Sequence, residues 1–323
     1  MDRRRARTAR LGALCALAAG AALAQSADAP LRAERWIAPG ADRIRALTTE
    51  PTECLAPPPR NQALAVEVGR AAFRTPTLLG GQAARAGLAC ETCHRAGHSN
   101  PDFLFPGLSG AAGTADVTSS LMSSHRGNGI DDPRPIPDLS GPRAALKISR
   151  APGDPSLETF VHGLIVEEFD GPEPSPTVMA GLVAYLRALD PAACPPKARR
   201  AITAAGLLDD ADRAMAAAQT LARQGDVAAA ATMVAAARAR LGLIDERWRA
   251  PEIAPTRARL RRLDDRLALA AEALRRRTPD AVGRLAQWPA DSRRLRADLA
   301  RGSAHSLFDS RRLAMATEGG LPR

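Results

Sequence analysis

Aromatic residues are scarce in this chain. One Tyr, three Trp and six Phe make up 3% of its 323 residues. That scarcity argues against a sheet protein built on cross-strand Tyr, Phe and β-branched pairs. Long apolar runs are missing as well: beyond the first two dozen residues, no segment reads as apolar enough to span a bilayer. Histidine and cysteine number five each, so any metal or covalent chemistry must come from a handful of positions. Hydrophobic content is nevertheless ordinary at 45%. Much of it is Ala and Leu, which suits short helices packed on one another.

The net charge is +10, and five arginines fall in the first ten residues. Arg3, Arg4, Arg5, Arg7 and Arg10 precede the apolar stretch "LGALCALAAGAALA", and Ala22-Leu23-Ala24 resembles a cleavage site. Residues 1–24 therefore read as a signal peptide, which places the mature protein in the periplasm or otherwise outside the cytoplasm. Cys15 would leave with that segment. Cys54, Cys90, Cys93 and Cys194 would remain, an even number in an oxidising compartment.

Composition divides the rest into three parts. Residues 25–56 read as an irregular, proline-bearing arm. Residues 57–195 carry a helical pattern at each end, Asn61–Phe73 and Ser175–Leu189, with a Gly-, Pro- and Ser-rich stretch between them. So much irregular backbone implies a non-protein centre or a functional reason. Ser156 reads as the cap of a further helix, and Ser175-Pro176 as the start of the last one. Residues 196–323 are rich in Ala and Arg. They read as a small helical bundle, with a hairpin turning at Gly225-Asp226 and a heptad-like run Leu260, Leu263, Leu267, Ala270, Leu274. The expected class is all-α.

The sequence "LACETCHRAGHSN" holds the chemistry. Cys90-Glu91-Thr92-Cys93-His94 is C-x-x-C-H, the attachment signature of c-type haem. Two thiols three residues apart can add to the two vinyl groups of one porphyrin, and the next residue brings an imidazole to the iron. The expected cofactor is one covalent haem c, held by Cys90 and Cys93 with His94 as proximal ligand. A zinc site of Cys90, Cys93, His94 and His98 would crowd four ligands into one loop and lacks a second distant pair. A thioredoxin-like dithiol would need a βαβ setting that the flanks do not offer.

With that motif between "VGRAAF" and "LVAYLRAL", the region resembles c-type cytochrome domains. In that family a Gly on the first helix lets an aromatic of the last helix cross closely, which by resemblance implies Gly69 and Tyr185. A narrower resemblance is to the N-terminal haem half of bacterial di-haem cytochrome c peroxidases. It rests on Gly69-Arg70 and Phe73 before the haem motif, then His125 before "DPRPIPDLSG", with Pro133, Arg134, Pro137 and Leu139. The match covers residues 57–190. It departs in having one C-x-x-C-H rather than two, and in a longer loop between His94 and His125.

The resemblance implies His125 as the ligand across the iron, with Met122 as the alternative. A thioether there would raise the potential and a second imidazole would lower it. His98 sits too close in sequence to His94 to reach around a porphyrin. His162 and Met179 fall in expected helices. Glu167 or Glu168 could serve as an acid–base group in a peroxide reaction. Cys54 and Cys194 bracket the haem region and are candidates for a disulfide.

Three functions follow as expectations. The first is an exported mono-haem cytochrome transferring single electrons to a redox partner protein. The second is a reduced relative of the di-haem peroxidases acting on hydrogen peroxide, and the third a non-catalytic haem-containing interaction or sensor protein. The interleaved Arg and Asp of the last third read as a solvated helix face, so nucleic acid is not expected as a partner. Neither is an integral membrane segment after signal cleavage.

Overall fold

The protein is described here by a computed structural model covering residue 31 and residues 36–119, 121–125, 127, 129–141 and 146–318. The expected signal segment lies outside the described residues. Helix makes up 59% of the structure and the strands are few and short, so the all-α expectation holds at that level.

The stretch expected to be an irregular arm is partly regular. Helix α1, Arg43–Thr48, is capped by the Asp42 carboxylate and runs into strand β1, Thr49–Pro51. Helix α2, Ala63–Phe73, follows a 3₁₀ turn and buries Val66, Val68, Ala72 and Phe73. Helix α3, Gly81–Ala86, ends on Gly87 in a left-handed conformation. The single helical turn α4, Cys90–Cys93, carries the C-x-x-C-H motif, with His94 as its first residue outside the turn. A 3₁₀ turn, Arg95–Gly97, follows, and further on β2, Thr114–Ala115, pairs antiparallel with β3, Arg134–Pro135.

Helix α5, Ser156–Gly163, starts one residue before the sequence suggests. Ser156 is its first residue rather than its cap, and its amide is taken up by the Asp154 carboxylate. It runs into a π-helical turn, Leu164–Glu168. Helix α6, Pro176–Ala188, begins as read from the sequence, with the Ser175 hydroxyl accepting from the Val178 amide and Pro176 at the first position.

Helices α2 and α6 cross at Gly69 and Gly181. A Cβ on Gly69 would lie 1.9 Å from the Gly181 carbonyl oxygen, so only glycine permits this approach. Tyr185, one turn further along α6, packs its ring 5.1 Å from that of Phe73. The expected crossing position on α2 is thus occupied as read, but its immediate neighbour is Gly181, and Tyr185 meets Phe73.

Strand β4, Arg199–Ala201, returns to pair antiparallel with β1 through Thr49 and Ala201. The partners are about 150 residues apart, so neither short segment shows itself in local periodicity. The remaining helices are α7 (Ala204–Arg223), α8 (Val227–Arg247), α9 (Ala254–Arg275), α10 (Ala281–Leu285), α11 (Trp288–Gly302) and α12 (Ser310–Glu318). The α7–α8 hairpin turns at Gly225, and the Asp226 carboxylate caps α8 through the Ala229 amide, where the sequence places the turn. Leu260, Leu263, Leu267, Ala270 and Leu274 of α9 are all buried.

One apolar core runs through both halves of the chain, from Val66 and Phe73 through Leu182 and Tyr185 to Leu208, Met233 and Leu274. Contrary to expectation, helix α8 is long and apolar enough to cross a membrane by length and composition. More than half of its apolar window is buried inside the protein, against α7 and α9, as in the core helix of a globular bundle.

Cys54 and Cys194 are joined as a disulfide with a Cα separation of 5.3 Å. It sits where residues 54–56 run beside 188–190, tied by bonds from the Asp190 amide to the Cys54 carbonyl and from the Ala56 amide to the Ala188 carbonyl.

Candidate functional site

The turn α4 is fastened from several sides. The Ala89 amide donates to the Thr92 hydroxyl at 3.0 Å, and the Asn100 side-chain amide donates to the Thr92 carbonyl at 2.9 Å. The Glu91 carboxylate is bound by Arg74 at 2.8 Å and by Arg240 of α8 at 3.1 Å. Burial would raise the Glu91 carboxyl, but the charges of Arg74 and Arg240 outweigh that and hold it low. With Glu91 and Thr92 committed to the scaffold, Cys90 and Cys93 are left free of any disulfide.

His94 is oriented through its ring. Its Nδ1 lies 3.0 Å from the Pro137 carbonyl oxygen, so this nitrogen carries the proton and Nε2 keeps its lone pair. Pro137 follows closely on β3, whose pairing with β2 fixes the carbonyl. The Phe73 ring stands 6.5 Å from the imidazole and links it to the α2–α6 crossing. Burial lowers the His94 pKa to about 4, so the imidazole is neutral at neutral pH. Burial likewise pushes the Cys90 and Cys93 thiols up to about 12.

All three side chains keep some accessible surface while burial is the largest influence on their titration. They are half-buried rather than standing on an open face. The set fits a covalent haem: two uncommitted thiols on one turn, a neutral imidazole with a free Nε2, and a polar carbonyl fixing its other nitrogen. Protonated thiols of raised pKa are the opposite of what an exchanging dithiol needs.

His98, the second histidine of the stretch, turns away. Its Nδ1 lies 3.2 Å from the Asp138 carboxylate and its Nε2 3.0 Å from the Thr52 carbonyl. Both of its nitrogens face acceptors, and the Asp138 hydrogen bond raises its pKa. Among the described residues no group of three or more His, Cys, Asp and Glu side chains is placed to hold a metal ion. The four-ligand zinc arrangement is therefore not assembled.

The two candidates for the second iron ligand, His125 and Met122, meet different surroundings. His125 is 63% exposed, and its Nδ1 pairs with the Asp170 carboxylate at 3.0 Å. Met122 is 1% exposed and belongs to the apolar core. Their loop is held against the π turn. The Ser123 hydroxyl donates to the Glu167 carbonyl, and the Ser124 amide donates to Asp170 at 3.0 Å. Glu167 is exposed, Glu168 is buried, Met179 is buried within α6, and His162 pairs with Glu173 at the surface.

Sequence reading missed the group of charges behind the turn. Arg70 of α2 and Arg74, its C-terminal cap, bind Glu53 at 2.6 and 2.7 Å, and Arg70 binds Asp210 of α7 at 2.9 Å. The Tyr185 hydroxyl donates to Glu53 at 2.8 Å. Burial would raise the Glu53 carboxyl, yet Arg74 and Arg70 bring it down to about 2. Gly69-Arg70 stood out in the sequence only through a resemblance, and nothing local marked Glu53 or Asp210 as its partners.

Compared with known proteins, the chain has no match among protein-family models, curated proteins or solved structures.

Proposed function

We propose that this chain is an exported c-type cytochrome that holds one haem covalently and passes single electrons to a redox partner protein. The observation that carries the reading is the arrangement at residues 90–94. Two free thiols share one helical turn, and the next residue is an imidazole whose Nδ1 is tied to the Pro137 carbonyl at 3.0 Å.

On this reading Cys90 and Cys93 would anchor the porphyrin, and His94 Nε2 and the Met122 thioether sulfur would hold the iron. Bound haem supplies a one-electron iron couple whose potential depends on those ligands. Pro137 holds the His94 proton on Nδ1 and makes the ring a better donor. The burial of Met122 offers a thioether without removing any hydrogen bond, whereas His125 would have to leave Asp170. A second protein ligand on the iron would favour electron transfer over peroxide chemistry. The arginine-led apolar N-terminus and the Cys54–Cys194 disulfide support an oxidising, exported setting.

The test is expression together with a c-type maturation system. The expected result is haem that stays with the polypeptide on a denaturing gel, and its loss in the Cys90→Ala, Cys93→Ala double variant. Folded protein without covalent haem under those conditions would overturn the reading. Sustained peroxide turnover with an added electron donor would favour the enzyme instead.

A further inference from the structure

A cavity of about 500 Å³ opens behind the C-x-x-C-H turn, where α1 and α4 face α8. That is the size of a small-molecule site. Apolar side chains such as Leu47, Phe103 and Leu207 form much of its wall, and the guanidinium groups of Arg95 and Arg247 line it as well.

Most carboxylates in the same wall are committed elsewhere. Glu50 pairs with Arg200, Glu91 with Arg74 and Arg240, Asp102 with Arg45, and Asp264 with Arg238. Glu246 also lines the wall, but no carboxylate among the described residues comes within 4.0 Å of the Arg95 or Arg247 guanidinium. Each of the two spends one N–H on the last turn of α1: Arg95 donates to the Ala46 carbonyl at 2.6 Å, Arg247 to the Leu47 carbonyl at 2.8 Å. The Phe308 ring backs Arg247 at 4.9 Å.

Their other donors are not sealed in. The buried side-chain nitrogens that lack a partner belong to other residues. Arg247 is only 8% exposed, so the cavity is where its remaining N–H groups find solvent. Burial, and then the charge of Arg95, pull the Arg247 pKa down to about 10, while Glu246 and Glu50 act the other way. Two guanidinium forks held on the adjacent carbonyls of Ala46 and Leu47, neither with a carboxylate within 4.0 Å among the described residues, suit a planar or tetrahedral oxyanion.

We propose that this cavity binds a small organic oxyanion, a carboxylate or a phosphate ester with an apolar body, gripped by Arg95 and Arg247. The apolar wall receives the body and the two forks receive the head group.

The test is calorimetric titration of the purified full chain with benzoate, phenyl phosphate and inorganic phosphate. Saturable one-to-one binding of at least one aromatic anion is expected, and the tighter of the two identifies the head group. Inorganic phosphate should bind more weakly than phenyl phosphate; equal affinity would overturn the part assigned to the apolar wall. Arg247→Gln should weaken binding at least tenfold. Arg247→Lys, which keeps the charge but loses the fork, should fall between. Absence of saturable binding, or unchanged affinity in both variants, would overturn the proposal. Hydrogen exchange on the parent chain locates the site without any substitution. The bound anion should protect residues 46–50 and 243–247, and protection confined to other regions counts against the site.

Discussion

Met122 and His125 lie three residues apart and answer differently to the same demand. A thioether is apolar, and its burial in the core strands no donor or acceptor. An imidazole paired with Asp170 at the surface would give up a charge-assisted hydrogen bond to bind an iron. The ligand expected across the iron is therefore Met122. Oxidised parent protein should show the weak far-red absorption band of methionine-ligated ferric haem. Met122→Ala should abolish that band and lower the potential by a sizeable part of the roughly 0.8 V that axial ligation spans. Met122→Leu, which keeps the volume, separates lost ligation from a packing defect. His125→Ala should leave band and potential unchanged; loss of the band in that variant alone would reverse the assignment. The sequence could nominate both residues but ranked His125 first, on a resemblance. What ranks them physically is a set of bonds from Ser123 and Ser124 to residues 167 and 170, over 40 residues away, with no local signature. The three residues of the C-x-x-C-H motif, by contrast, could be nominated from the sequence alone, because the chemistry proposed for them depends on spacing.

At the scale of elements, the α2–α6 crossing is the contact least tolerant of change. Gly69 and Gly181 bring two backbones together, and any side chain on Gly69 must push the helices apart. Gly69→Ala is expected to destabilise the fold by at least about 1–3 kcal/mol, the usual cost of overpacking. Gly242, on the exposed side of α8, has nothing within 4 Å of a Cβ. Gly242→Ala should stabilise by roughly 0.5–1 kcal/mol, since alanine loses less backbone freedom in a helix. Urea unfolding of both variants would show midpoints moving in opposite directions at constant slope. Shifts of the same sign would refute the crossing as the constraint. Much of this level could be read in advance: Ser175-Pro176 starts α6 and Gly225-Asp226 turns the hairpin because caps and turns are local chemistry. The β1–β4 pair could not be read, because a three-residue strand acquires its identity from its partner.

Across the whole molecule, the two halves distinguished by composition share one core, and they also share charge. Arg70 of α2 and the capping Arg74 are buried between Glu53 and Glu91 on one side and Asp210 of α7 on the other. Guanidinium groups stay protonated at any ordinary pH, so losing a carboxylate leaves a buried cation short of countercharge. The sequence boundary near residue 196 is therefore not expected to separate two independently melting units. Asp210→Asn keeps the shape and removes the charge, and it should cost about 3–5 kcal/mol at neutral pH. The loss should appear equally in both halves, as faster hydrogen exchange in peptides of α2 and α6 and in those of α7 and α8. Acid should act in the same direction. Glu53, held at about 2 against an ordinary 4.5, contributes stability that is complete above pH 4.5 and is lost as pH falls towards 2. If Asp210→Asn loosens α7 and α8 while α2 and α6 exchange as in the parent, the halves are uncoupled and the charges only decorate their boundary.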